Sequence, residues 1–173
     1  MGGAKPGLIV GGRALIERPL AALASAGLDS VVVAKADSPL PPLAVPRWDE
    51  PAEPQHPLCG IVTALERAHG PIVVLACDMP FVPPALIERL AGTAANAVVP
   101  AVDGILQPLA ARYAPEAHEG LAAALVERAP LRAAVAALDP LILTEDELRR
   151  YGDIRRMFAN LNVPEDLELL GDS

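Results

Sequence analysis

Residues 71–81 read Pro71-Ile72-Val73-Val74-Leu75-Ala76-Cys77-Asp78-Met79-Pro80-Phe81. Five consecutive apolar residues with no polar alternation describe a strand buried on both faces, as in parallel sheets covered by helices. The run stops at a carboxylate, and a helix can open at Pro83-Pro84, because prolines are tolerated in a first helical turn. Strand, loop, helix is the reading, with Asp78 just past the strand end.

The neighbours repeat that rhythm. Ser30 to Ala34 is a second short apolar run. Ahead of it, Leu15, Ile16, Leu20 and Leu23 recur at helical spacing from Ala14 to Ala26, and Gly27 suits a helix C-terminus. Pro57 to Ala68 predicts a helix broken by Gly70-Pro71. Ala97 to Pro100, Leu109 to Tyr113 and Leu141 to Leu143 predict further strands, and two Ala-rich helices fill Pro115 to Leu138. Pro39 to Pro57 is too proline-dense for regular structure and long enough to carry function. Strands alternating with helices predict an α/β fold of three layers with a mostly parallel sheet and right-handed crossovers.

Composition supports one domain over residues 1–173. A chain of 173 residues is near the usual size of roughly 150 per domain. Its 52% hydrophobic residues exclude disorder as the main state. Aromatics are only 3%, so Ala, Val, Leu and Ile must build the core. A formal net charge of -8 argues against a broad grip on nucleic acid or an anionic membrane, which needs a basic surface. Cys59 and Cys77 form no metal spacing and no disulfide framework. With no apolar run near about 20 residues, the expected location is cytoplasmic.

Several groups could carry chemistry. Asp78 lies where open α/β sheets place their ligands. Mg²⁺ is the expected partner, since it needs only one or two carboxylates beside water and phosphate oxygens; the bland alternative is an aspartate capping the next helix. Met1-Gly2-Gly3-Ala4-Lys5 combines backbone N–H groups with an ammonium, a composition suited to phosphate. Gly7 to Gly12 lacks the third glycine of a dinucleotide fingerprint. Asn160 and Asn162, two residues apart, face the same way if extended, as helix caps or as readers of a ligand. Gln107 places an amide at a strand start. His56, His69 and His118 share no motif and read as surface residues.

Six blocks, in order, carry a resemblance: Met1 to Lys5, Gly11 to Arg18, Pro57-Leu58-Cys59-Gly60-Ile61, Leu75 to Phe81, Gln107-Pro108-Leu109, and Asn160-Leu161-Asn162-Val163-Pro164-Glu165-Asp166-Leu167. Together they resemble the molybdenum cofactor guanylyltransferase family. The resemblance implies a Rossmann-like nucleotidyltransferase fold and transfer of GMP from GTP to molybdopterin, with Mg²⁺ and release of pyrophosphate. GTP and molybdopterin are the implied partners, with a molybdoenzyme or another cofactor-biosynthesis protein beside them. It further implies that Asp78 holds the metal and that Lys5, with Gly2 and Gly3, meets the triphosphate. Asp49, Leu58 and Gly60 would lie on the base side, and Gln107, Asn160 and Asn162 on the pterin side. A cytidylyl or other nucleotidyl transferase, and a nucleotide-binding module without turnover, stay open beside this reading.

The same resemblance implies a strand and most of a glycine-rich loop ahead of Met1, the strand lying between those of Val31 to Val33 and Val73 to Leu75. The expectation is a longer native chain. Without that strand several buried N–H and C=O groups would be stranded at about 1–3 kcal/mol each, so an empty slot is not expected; the alternatives are Gly7 to Val10 shifting into the vacant place with Gly11-Gly12 as the loop, or a degenerate, non-catalytic relative.

Overall fold

The computed structural model describes residues 6–10 and 12–159. A hairpin opens it, β1 (Ile9–Val10) pairing antiparallel with β2 (Arg13–Ala14). Helix α1 (Glu17–Ser25) follows and ends ahead of Gly27, whose φ of 72° is the left-handed value a glycine adopts freely. Then come β3 (Val32–Lys35), β4 (Arg47–Glu50), α2 (Pro57–Arg67), β5 (Ile72–Leu75) and α3 (Pro84–Ala91). The second half contains β6 (Ala97–Val102), β7 (Ile105–Leu106), β8 (Ala110–Tyr113), α4 (Ala117–Val126), α5 (Leu131–Ala136) and β9 (Leu141–Leu143). Two single-turn helices, α6 (Glu145–Leu148) and α7 (Ile154–Met157), close the described part.

Three layers follow from the alternation of side chains along the strands. Ala97, Val99, Ala111 and Tyr113 pack with Leu58, Ile61, Val62 and Leu65, the i, i+3, i+4, i+7 stripe of α2, and with α4 and α5. Val98 and Ala110 point the other way, into a core with Leu86, Ile87 and Leu90 of α3, Leu148 of α6 and Met157 of α7. The predicted α/β architecture is therefore present.

Strand direction departs from the mostly parallel expectation. β6 pairs parallel with β9, yet β8 is inserted antiparallel between β5 and β6, and β7 pairs antiparallel with β6. β7 and β8 follow β6 through short turns with no helix between, and such connections reverse the chain. Arg47 to Glu50, inside the stretch expected to be irregular, forms β4 because β3 offers it a parallel partner, Val32 opposite Arg47 through Lys35 opposite Glu50. The Arg47 guanidinium donates to the Lys35 carbonyl, and the Lys35 ammonium pairs with Glu50 at 3.2 Å.

A gap separates the sheet of β3 and β4 from the sheet that β5 ends. Among the described residues β3 pairs only with β4, and β5 ends its sheet with β8 as its one neighbour, so the facing edges of β3 and β5 are unpaired. Between them lies a cavity of about 960 Å³. Its trace is visible in burial: Val98, Val99, Ala110 and Ala111 are fully buried, whereas every residue of the equally apolar β5 is only half-buried. The segment Gly7 to Val10 does not fill the slot. It stays in the hairpin, where the Leu15 N–H donates to the Leu8 carbonyl at 2.8 Å and Ile9 is 63% exposed.

Candidate active site at the mouth of the slot

Asp78 sits three residues past β5, half-buried, at the end of the slot, whose lining it shares with Cys77, Gly60 and Glu50. Burial raises its carboxyl pKa above the ordinary value, and a hydrogen bond from its own backbone partly offsets that. The same burial, with the Asp78 charge as the second cause, pushes the Cys77 thiol up to about 11. Cys77 is thus a protonated filler, not a nucleophile. The capping alternative for Asp78 fails, because α3 starts from Pro83 with no side-chain cap.

Asp78 forms no ion pair among the described residues. A half-buried carboxylate whose charge is costly and that has no ion-pair partner among the described residues fits a divalent cation, whose own charge would reverse that cost. No group of three or more His, Cys, Asp or Glu side chains among the described residues could hold a metal. A hard cation here would therefore complete its shell with water and substrate oxygens, as Mg²⁺ does.

Gln107 lies at the same end of the sheet. Leu75 opposes Ala110, and the Ala76 N–H donates to the Leu109 carbonyl at 2.8 Å, so residues 107–109 run beside 76–78. The Gln107 amide donates to the Ile105 carbonyl at 3.2 Å. Beneath it, the Tyr113 hydroxyl donates to the Pro108 carbonyl at 2.7 Å in a fully buried bond. Gly60 of α2 faces Glu50 of β4: a Cβ there would lie 3.1 Å from Glu50 Oε2.

Leu58 and Asp49 do not line the slot. The Leu58 side chain is fully buried in the core, and its backbone N–H is taken by His56 Nδ1 at 3.2 Å, so Leu58 presents no side chain to a ligand. His56 in turn is the N-cap of α2 and not a spectator on the surface. Asp49 faces away from the slot, 59% exposed and paired with Arg47 at 2.8 Å, while Glu50 on the opposite face of β4 lines the cavity. Strand alternation separates adjacent carboxylates in this way; Glu50 would have been found had 47–50 been read as a strand. Gly2, Gly3, Lys5, Asn160 and Asn162 lie outside the described residues. The sequence reading also missed Arg156, whose guanidinium lies 5.1 Å above the Phe81 ring and joins α7 to the Asp78 loop.

The sequence model of the MobA-like NTP transferase domain matches residues 1–141. The chain belongs to this family. A relative named molybdenum cofactor guanylyltransferase from Pseudomonas putida is 34% identical over 130 residues, covering 69% of this chain and 62% of its own length. One from Natronomonas pharaonis, named a probable molybdenum cofactor guanylyltransferase, is 34% identical over 117 residues, covering 65% of this chain and 57% of its own. The MobA-like chain thus spans about three-fifths of the length of these relatives.

Solved structures agree on the fold. The molybdopterin-guanine dinucleotide biosynthesis protein A of Archaeoglobus fulgidus superposes with a TM-score of 0.76 at 25% identity, covering 95% of this chain and 87% of that one. The 2-C-methyl-D-erythritol 4-phosphate cytidylyltransferase of Thermus thermophilus reaches 0.71 at 22% identity, covering 95% and 91%, a likeness of fold alone. A family of NTP transferases makes this chain a nucleotidyltransferase domain. No helix among its described residues is long and apolar enough to cross a membrane.

Proposed function

We propose that this domain transfers GMP from GTP to molybdopterin, releasing pyrophosphate. The observation that carries the reading is Asp78, a half-buried carboxylate without a charged partner among the described residues, at a strand end shared with Gly60 and Gln107. The named relatives supply the substrate pair. In the reaction a phosphate oxygen of molybdopterin attacks the α-phosphorus of GTP, and the bond to the β-phosphate oxygen breaks as pyrophosphate leaves. Phosphoryl-type transfer needs positioning and charge stabilisation more than covalent chemistry, which suits a site whose cysteine is protonated.

Asp78 would hold Mg²⁺, which when bound neutralises charge on the reacting phosphates. Lys5, with the backbone of Gly2 and Gly3, would take the triphosphate. Gly60 would admit the base where a side chain would crowd Glu50, and Asp49 stays a base-side carboxylate only by turning from Arg47. Gln107, Asn160 and Asn162 would face the pterin. A cytoplasmic setting and a molybdoenzyme partner belong to the same proposal.

The test is pyrophosphate release from GTP plus molybdopterin with Mg²⁺. Asp78→Asn should abolish it while the variant still unfolds cooperatively; undiminished release in that variant would remove Asp78 from the metal role.

A further inference from the structure

The connection from β4 to α2, Pro51-Ala52-Glu53-Pro54-Gln55-His56, belongs to no helix or strand. Pro51 and Pro54 bring it no N–H donors, so it needs to be held from outside. Lys35, the last residue of β3, does this. Its ammonium donates to the Pro51 carbonyl at 2.6 Å and to the Pro54 carbonyl at 3.4 Å, and it pairs with Glu50 at 3.2 Å. An ammonium has three donors, and these three contacts all go to residues 50–54. The side chains of Lys35 and Glu50 are only 18% and 14% exposed, which separates them from the solvated surface pairs that contribute little.

The Pro54 carbonyl passes the tie on. It also accepts from the His56 N–H at 3.0 Å and from the Cys59 thiol at 2.9 Å. His56 is the N-cap of α2, and Cys59 is buried in its first turn. Lys35 therefore reaches the start of α2 through Pro54 and the end of β4 through Glu50. Those two elements meet again at Gly60, where a Cβ would stand 3.1 Å from Glu50 Oε2. One nitrogen thus sets how far the first turn of α2 stands from β4. Arginine is no substitute, because its planar fork spreads its donors instead of converging them on one point.

We propose that Lys35 is a positioning residue for nucleotide selection. It holds the 51–56 connection and the first turn of α2 against Glu50, and so sets the width of the space that takes the base. It acts through Pro54 and Glu50 without touching the nucleotide. The proposal rests on the place given above to the base, beside Gly60.

The experiment compares the parent chain with Lys35→Met and Lys35→Arg. Calorimetry measures binding of GTP and of CTP in the presence of Mg²⁺. Mass spectrometry follows thiol labelling at Cys59 and amide exchange at His56, with exchange at Ile72–Leu75 as the control for an intact sheet. In Lys35→Met, labelling at Cys59 and exchange at His56 should quicken while Ile72–Leu75 stays as in the parent. GTP should bind about tenfold more weakly, the scale of one lost hydrogen bond to a charged group, and the preference for GTP over CTP should fall, with the KM for molybdopterin unchanged. Lys35→Arg should lie between the two in every readout. A loosened connection with undiminished GTP affinity and preference makes Lys35 a structural tie only and overturns the proposal, as does a connection that stays closed in Lys35→Met. Should Lys35→Met fail to unfold cooperatively, Lys35→Arg decides, and parent-like affinity and preference in that variant overturn the proposal. A parent that binds neither nucleotide, or both equally, refutes the reading of the site itself, and the proposal with it, before any variant is compared.

Discussion

The Ala76 N–H donates to the Leu109 carbonyl at 2.8 Å, one residue beyond the last pair of the β5–β8 ladder. That bond carries the register out of the sheet and brings the strand end with Asp78 beside the turn with Gln107. Two blocks some thirty residues apart in sequence thereby share one end of the fold.

The turn is fixed from below by the buried bond from the Tyr113 hydroxyl to the Pro108 carbonyl. Tyr113→Phe leaves that carbonyl unpaired in the core, at a cost of about 1–3 kcal/mol. Chemical denaturation should show the loss with an unchanged m-value. The KM for the acceptor substrate should rise more than kcat falls, because the defect displaces Gln107 and not Asp78.

Asp78 has a predictable stability signature. Burial holds its folded-state pKa above the unfolded one, so the native state takes up a proton more readily across that interval. Its contribution to stability is full below the unfolded pKa and is lost as pH rises through the folded pKa. Asp78→Asn removes the cost of the charge, so the variant should melt no lower than the parent at neutral pH. In an acidity scan toward pH 4 the gap should close, and Mg²⁺ should raise the melting temperature of the parent only.

At Gly60 two effects oppose. Gly60→Ala gains about 1 kcal/mol of helix propensity, but its Cβ would stand 3.1 Å from Glu50 Oε2, and overpacking costs about 1–3 kcal/mol. Lys35 holds Glu50 at 3.2 Å, so the carboxylate cannot simply swing aside. The expected outcome is net destabilisation in the parent and net stabilisation in a Glu50→Ala background, read as a double-mutant cycle.

His56 caps α2 through Nδ1. Replacing it with alanine should cost about 1 kcal/mol, read by denaturation, without changing the KM for the nucleotide.

Much of this was legible in the residues and some was not. Strand β5 with Asp78, helix α2 and helix α3 follow from an apolar run, a 3.6-residue stripe and a proline-opened turn, all local signals. β4 was hidden because nothing in Arg47 to Glu50 favours a strand; its partner β3 creates it. The reversal of β8 was hidden because direction depends on the absence of a crossover helix, a matter of connection length. Leu58 was misplaced because a helix start that carries a motif can still turn its side chain inward. The gap between β3 and β5 was not foreseen, because two buried-strand patterns were expected to share a neighbour, and among the described residues no strand pairs with both.

The most direct measurement is steady-state pyrophosphate release from GTP and molybdopterin, with and without Mg²⁺, for the parent and Asp78→Asn. The account predicts Mg²⁺-dependent turnover in the parent and a loss of at least about a hundredfold in the variant, the scale expected when a group stabilising transition-state charge is removed. Equal turnover in the two proteins, or turnover indifferent to Mg²⁺, would contradict it.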